Sequence, residues 1–407
     1  MVPGPLRRDV AWAVALTATS TMTVSYVDRQ TLSALAPAVT HALDIGDTGY
    51  GWLLSAFAFA YLVATPLAGR IIDRIGARRG LVGSLAVWSS IAALHALVPT
   101  FGVLFTLRIA LGLAEGPGFP GAAQTVHRVL PAGERARGYG ILFAGSSIGS
   151  MIAPPLASWL YGVAGWRVAF LTSAAVGALW LVPWLALTQR AEVREVLDRP
   201  QPAKPDHGLR VFKQLVTNPA MVRGLVAIFA AAPAIAFVLS WGAKYLAGTF
   251  GVAQVSVGHY LWLPPLLFDV GVVGFGDLVT RLGAPRRLFA TGLALACVIA
   301  LLPLAATPWQ SVVVLGFALI GGGALYTLAT ADVLSRVPDD QISFAGGVLA
   351  CAQSLAAIVT SPLVGWLVTR THGYDTVAIA LAVWVVPGSV AWLVWPTRSA
   401  AGSRSIP

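Results

Sequence analysis

The chain has 407 residues, of which 57% are hydrophobic and 11% are charged, and its formal net charge is +10. Soluble domains carry about 25% charged residues, so this composition excludes an ordinary soluble domain and indicates that lipid is the main solvent. A charge of +10 can indicate a nucleic-acid partner. Here the basic residues lie between apolar runs and form no single patch, so no such partner is expected.

Apolar segments of about 20–28 residues follow one another along the chain, and we count twelve. A backbone that spans a membrane must satisfy its hydrogen bonds internally, so each segment is predicted to be a helix. The segments are 10–37, 49–69, 80–98, 101–128, 138–161, 168–188, 222–246, 256–280, 286–306, 309–335, 343–369 and 374–396. The expected fold class is therefore an all-α membrane protein with twelve transmembrane helices.

The first segment contains two adjacent charges, Asp28 and Arg29, well inside its apolar run. A charge at hydrocarbon depth costs roughly 2.5–3.5 kcal/mol on insertion scales, so it normally faces a protein-lined cavity on an ion or substrate pathway. Neighbouring charges of opposite sign limit this cost and can combine a proton site with an anion site. The pair therefore favours a transporter.

The connections between segments differ in their basic content. Arg70, Arg74, Arg78 and Arg79 follow the second segment, and the stretch 189–221 holds further arginines and lysines, whereas the alternate connections are poor in both. This asymmetry is the positive-inside pattern. It predicts a multi-pass protein of the inner (plasma) membrane with both termini in the cytoplasm.

The chain repeats itself at an offset of 207 residues (276 − 69). The matched positions are Gly69 and Gly276, Pro131 and Pro338, and Pro155 and Pro362. Parallel repeats of this kind indicate two six-helix halves with a site between them near the middle of the membrane. We predict an N-terminal bundle over 1–188, a cytoplasmic central loop over 189–221 and a C-terminal bundle over 222–407.

The connection after the second segment reads Gly69-Arg-Ile-Ile-Asp73-Arg74-Ile-Gly76. This spacing resembles the signature of the major facilitator superfamily, which lies between its second and third helices. Asp73 can meet a helix N-terminus and an arginine of the neighbouring half, so we assign Gly69, Asp73 and Arg74 to a cytoplasmic gate. The alternative is a basic loop that only sets the topology.

Four further stretches resemble the anion:cation symporter family, and its hexuronate-type members in particular. They are Tyr26–Pro37, Arg108–Pro120, Trp241–Leu246 and Trp262–Gly271. The resemblance covers nearly the whole chain and is stronger in the first half. It implies proton-driven symport of small organic anions, such as hexuronates, other sugar acids or other carboxylates, by alternating access.

The charged residues of the first and fourth segments are the leading site candidates. Arg29 can hold a carboxylate through two parallel hydrogen bonds, unless Asp28 neutralises it permanently. Arg108 and Glu115 are seven residues apart and so share a helix face. The resemblance assigns substrate binding to Arg29 and proton coupling to Asp28, Arg108 and Glu115; a structural Arg–Glu tie is the alternative.

Four other residues are assigned to the same site. Tyr61 can offer its hydroxyl to the substrate, or it can simply pack. Ser146 is a candidate polar contact, although the glycines around it are explained by close helix packing alone. Lys244 can attract anions or extend to the membrane interface. Asp269 is a second candidate for the coupled proton.

No motif indicates an enzyme, a cofactor or a metal site: the chain has no Walker-type loop, and no Cys/His cluster has metal-ligand spacing. The expected partners are a small organic anion, protons and the lipid bilayer, and we expect a monomer. A proton-coupled multidrug or metabolite antiporter is the main alternative, because the loop signature is shared with exporters. A membrane sensor without transport is a further alternative.

Overall fold

A computed structural model describes residues 6–198, 213–214, 216–338 and 341–395, without the side chains of 342–344. Helices and the turns between them form this part of the chain, and it contains no strand. The first helices are α1 (Arg8–Ala34), α2 (Ala36–Ala42), α3 (Asp47–Ile75), α4 (Ala77–Leu94), α5 (Phe101–Glu115), α6 (Gly118–Val129), α7 (Ala132–Thr188) and α8 (Ala191–Leu197). The later helices are α9 (Pro219–Phe250), α10 (Val257–Leu261), α11 (Leu263–Leu282), α12 (Pro285–Cys297), α13 (Pro308–Leu334), α14 (Ile342–Thr371) and α15 (Asp375–Val394).

Ten helices of the described residues are long and apolar enough to cross a membrane. The predicted segments 138–161 and 168–188 both lie in α7, where the helical geometry breaks at Gly165 with φ at 81°. The predicted segment 101–128 is divided between α5 and α6 by a turn at Gly116 and Pro117. The all-helical membrane fold is confirmed, and the count of twelve spans stays a prediction.

Two compact units make up the described chain. The first consists of the described residues of Met1–Lys204, Leu239–Pro265 and Ser361–His372. The second consists of the described residues of Pro205–Val238, Leu266–Thr360 and Gly373–Pro407. The predicted bundles 1–188 and 222–407 stay a prediction, and of the predicted loop 189–221 the residues 199–212 and 215 lie outside the described residues.

In the first unit, α1 packs against α6 and α7. Its buried apolar face joins a core that includes Trp88 and Trp184. Gly149 of α7 lies so close to α1 that an added Cβ would come within 2.5 Å of the Thr23 carbonyl oxygen. This contact between helix backbones fixes the position of the charged end of α1 against its neighbours.

The second unit has its own core, in which the rings of Phe289 and Trp392 stack with their centroids 3.9 Å apart. The Arg223 guanidinium lies 4.0 Å from the Trp392 ring and 3.7 Å from the Asp332 carboxylate. Arg336 donates to the other oxygen of Asp332 at 3.0 Å. A partly buried ionic network thus ties α9 to α13 in this unit.

The loop between α3 and α4 is held within the first unit by Gln124 of α6. Its amide nitrogen donates to Asp73 Oδ1 at 2.8 Å, and its amide oxygen accepts from the backbone N–H of Ala77 at 3.1 Å. Asp73 and Arg74 are exposed, and an added Cβ on Gly69 would meet no atom within 4 Å. The contact of Asp73 with an arginine of the other half stays a prediction.

Helix α8 packs against the same end of the first unit. Val193 and Leu197 are fully buried there, and Arg128 donates to the Leu197 carbonyl oxygen at 2.7 Å. Arg78 donates to both oxygens of Asp198, at 3.1 and 2.6 Å to Oδ2 and at 3.0 Å to Oδ1. This hydrogen-bonded guanidinium lowers the pKa of the Asp198 carboxyl below its ordinary value.

We predict that Asp198→Asn lowers the free energy of unfolding by about 1 kcal/mol at pH 7, because the ion pair is only partly exposed. The folded-state pKa of Asp198 is depressed, so its contribution is complete above the ordinary aspartate pKa and is lost as pH falls through the folded value. Thermal unfolding in detergent at pH 7 and below about pH 4 measures both effects.

Asp9→Asn is the matched control for this measurement, because Asp9 forms an ion pair with Arg7 in which both side chains are mostly exposed. It is expected to lower the unfolding temperature less than Asp198→Asn does, because an exposed ion pair and an exposed charge in the first turn of a helix contribute little. Equal effects of the two substitutions at pH 7 would show that the Arg78–Asp198 pair does not hold α8.

Candidate functional site in the first unit

Asp28 and Arg29, although adjacent on α1, have different partners. Trp88 Nε1 of α4 donates to Asp28 Oδ2 at 2.8 Å. Arg29 Nε donates to Glu115 Oε2 of α5 at 2.7 Å. Successive helical residues point about 100° apart, which separates the two side chains. Glu115, and not Asp28, is therefore the ion-pair partner of Arg29.

Glu115 is 1% exposed and concentrates its contacts on one oxygen. The Ser25 hydroxyl donates to Oε2 at 2.7 Å, so this atom accepts from both Ser25 and Arg29. Oε1 is buried and has no hydrogen-bond partner among the described residues. One oxygen of the carboxyl is thus held by the ion pair, and the other accepts no hydrogen bond from the described residues and can carry a proton.

Aromatic rings surround the Arg29 guanidinium. Its Cζ lies 4.2 Å from the ring centroid of Tyr61 and 5.0 Å from those of Tyr26 and Phe57. Such rings attract a cation without neutralising it. Because Glu115 engages only Nε, it makes no hydrogen bond to the Nη1/Nη2 edge, which can bind a carboxylate through two parallel hydrogen bonds.

Arg108 is a second buried guanidinium near this cluster. It is 2% exposed, and its Cζ lies 4.5 Å from the Phe57 ring, which Arg29 also contacts. Its Nε and Nη1 have no hydrogen-bond partner among the described residues. Buried donors without partners are costly, so this position favours an anion or ordered water.

The four charged groups of this cluster balance each other. Asp28 and Glu115 can each carry one negative charge, and Arg29 and Arg108 carry two positive charges. All but Arg29, whose side chain is 16% exposed, are almost fully buried. Protonation of one carboxyl leaves a net charge of +1, which favours the binding of a monovalent anion.

The other predicted site residues lie in different surroundings. Tyr61 belongs to the cluster through its contact with Arg29. Ser146 of α7 donates to the Phe143 carbonyl oxygen. Lys244 of α9 forms an ion pair with Asp47 at 3.0 Å. Asp269 is half-buried on α11, in the second unit.

Ser25, Tyr26, Phe57 and Trp88 contribute to the cluster and were not singled out from the sequence. Ser25 lies one helical turn before Arg29, a spacing that places the two side chains on one face. This spacing is visible in the sequence and indicates Ser25 as a neighbour of Arg29. Phe57 and Trp88 lie in apolar helices, where an aromatic residue near a charge looks like any other core residue.

The Major Facilitator Superfamily model matches residues 18–359, and the chain belongs to this superfamily of membrane transporters. The fold agrees with a bacterial homolog of the human lysosomal transporter Spinster, solved in an inward-facing and unoccupied conformation. That structure has a TM-score of 0.82 at 18% identity and covers 95% of this chain and 97% of its own. The nucleoside transporter NupG has a TM-score of 0.73 at 15% identity, with 93% and 98% covered.

Within the superfamily, the chain is similar to transporters of sugar acids. It is 26% identical to the hexuronate transporter of Escherichia coli (strain K12), over 97% of this chain and 96% of that protein. It is 24% identical to the probable galactarate/D-glucarate transporter GudP of Bacillus subtilis (strain 168), over 97% and 93%. The predicted resemblance to sugar-acid transporters is confirmed, as is the prediction that the protein is not an enzyme.

We predict that the hydrogen bond between Trp88 and Asp28 couples the two residues by about 1–3 kcal/mol. Trp88→Phe leaves the buried carboxylate without this donor, and the cost largely disappears when Asp28→Ala is present as well. Thermal unfolding of the two single variants and the double variant in detergent measures this coupling.

Trp159→Phe replaces Trp88→Phe in the control cycle, because the Trp159 side chain is 62% exposed. No coupling with Asp28→Ala is expected there. A Trp88 cycle as additive as this control would contradict the predicted hydrogen bond.

Proposed function

We propose that this protein is a secondary active transporter that couples protons to the symport of small organic anions, with sugar acids as the main substrate class. The observation that carries the proposal is the buried cluster of Arg29, Glu115, Asp28 and Arg108, whose charges balance until one carboxyl takes up a proton. The similarity to hexuronate and galactarate/D-glucarate transporters supports the substrate class.

Glu115 is the proposed proton carrier, because it competes with substrate for Arg29. When ionised, it accepts from Arg29 Nε and holds the guanidinium. A proton on Glu115 removes the charge of this partner, and Arg29 then favours another carboxylate. Proton binding and anion binding thus support each other, as symport requires.

Tyr61 and Tyr26 border the guanidinium that would receive the substrate carboxylate. Aromatic rings beside a sugar acid can pack against its apolar ring face, and their hydroxyls can bond its oxygens. Arg108 offers further donors, since two of its nitrogens have no partner among the described residues. Asp28 and Asp269 are the alternative proton carriers, and Ser146 is the weakest of the proposed substrate contacts.

Alternating access of two six-helix halves is the proposed transport cycle. The loop that carries Gly69, Asp73 and Arg74 is assigned to the cytoplasmic gate. It is rich in arginine, and by the positive-inside rule such loops are expected in the cytoplasm. Both termini are then cytoplasmic.

The proposed function predicts uptake of hexuronates, galactarate or glucarate into proteoliposomes, stimulated by an inward proton gradient. Arg29→Ala should abolish this uptake, because the substrate carboxylate loses its guanidinium. Arg167→Ala is the matched control, since Arg167 also lies over an aromatic ring, that of Trp166 at 4.2 Å, outside the cluster. Uptake indifferent to the gradient, or equal loss in the two variants, would overturn the proposal.

Glu115→Gln is expected to preserve the exchange of labelled for unlabelled anion and to remove accumulation driven by the proton gradient. Glutamine keeps the side-chain shape but cannot exchange a proton. Exchange and gradient-driven uptake, measured in the same proteoliposomes, separate the two activities. Unchanged accumulation in this variant would move the coupled proton to Asp28 or Asp269.

A further inference from the structure

Lys244 has two oxygen partners in the first unit. Its Nζ lies 3.0 Å from Asp47 Oδ1 and 3.0 Å from Thr40 Oγ1, and the Tyr50 ring centroid is 5.6 Å away. Asp47 begins α3, and Asp73 lies near the end of the same helix. The Lys244–Asp47 pair therefore lies at the opposite end of the unit from the Asp73 loop, and we call this the distal end.

Hydrogen bonds from side chains to backbone carbonyls, together with close helix packing, hold the distal end around this ion pair. The Tyr50 hydroxyl donates to the Ser240 carbonyl oxygen at 2.6 Å, and Gln254 donates to the Ala34 carbonyl oxygen at 2.7 Å. A Cβ on Gly51 would overlap the carbonyl oxygen of Ser361. The Lys244 side chain is only 12% exposed, so a solute at the distal side gains full access to it only after these segments separate.

Breaking the ion pair would cost Lys244 more free energy than it would cost Asp47. Asp47 lies in the first turn of α3, where the exposed N–H groups of the helix stabilise a negative charge, and its side chain is 29% exposed. The Lys244 side chain is 12% exposed, and Asp47 is the carboxylate within ion-pair distance of it among the described residues. After separation Asp47 keeps the helix terminus and water, whereas Lys244 needs a new anion.

We propose that Lys244 is the first binding site for the substrate carboxylate on the distal side, and that Asp47 occupies this site in place of substrate when the distal end is closed. The inference rests on the proposed anion transport. In this exchange of carboxylates, substrate replaces Asp47 at Lys244 on entry, and Asp47 replaces substrate as the distal end closes.

The test compares the KM for anion entry from the distal side in three variants. Lys244→Gln removes the entry cation and should raise this KM about tenfold, equivalent to about 1.4 kcal/mol. Asp47→Asn removes the competing carboxylate and should lower the KM severalfold. Lys244→Arg keeps the cation and should stay near the wild-type value. The KM for exit from the opposite side should change less than twofold in all three.

A simple lock between the two residues gives a different result. Both single substitutions break the ion pair, so both would then shift the entry KM in the same direction. Parallel shifts, or none, overturn the inference while wild-type transport still supports the proposed function. Absence of sugar-acid transport by the wild type overturns the proposed function, and this inference with it.

The exchanged pair Asp47→Lys with Lys244→Asp guards against a folding defect in Lys244→Gln. It restores an ion pair and should restore the amount of protein in the membrane. It also places a carboxylate on α9, so the entry KM should remain raised. A wild-type entry KM in the exchanged pair would overturn the inference, since the position of the cation would then not matter.

Discussion

The ion pair between Arg29 and Glu115 is the interaction on which the proposed chemistry depends. It crosses from α1 to α5, and the rings of Phe57 and Tyr61 lie against its guanidinium. Removing one partner of a buried ion pair leaves an uncompensated charge, which is strongly unfavourable. A proton on Glu115 is equivalent to such a removal, and an incoming carboxylate is the natural replacement.

Helix packing determines whether the pair can form at all. Arg29 and Glu115 are 86 residues apart, and their side chains meet because α1 packs on α6, which follows α5 directly in the chain. The break at Gly116 and Pro117 ends α5 directly after Glu115. The charged cluster is thus a product of tertiary contacts between helices that are individually almost featureless.

The sequence predicts the class of the fold well, because long apolar runs in lipid have few alternatives to helix. It also identifies Arg29, Arg108 and Glu115 as candidates for one site, because charged residues are rare in apolar segments. The pairing itself was not predictable: adjacency suggested Asp28 as the partner of Arg29, but Asp28 accepts from Trp88 instead. Helix rotation, which sequence spacing leaves free between separate helices, decides such partners.

Phe57 lies within 5.0 Å of the Arg29 guanidinium and within 4.5 Å of that of Arg108. Its attraction for both cations comes from the electron distribution of the ring, which has no titratable group. The carboxylates around these arginines can gain and lose protons, but the charge distribution of the Phe57 ring does not change during the transport cycle. It therefore supplies a constant restraint on two like charges while their acidic neighbours change state.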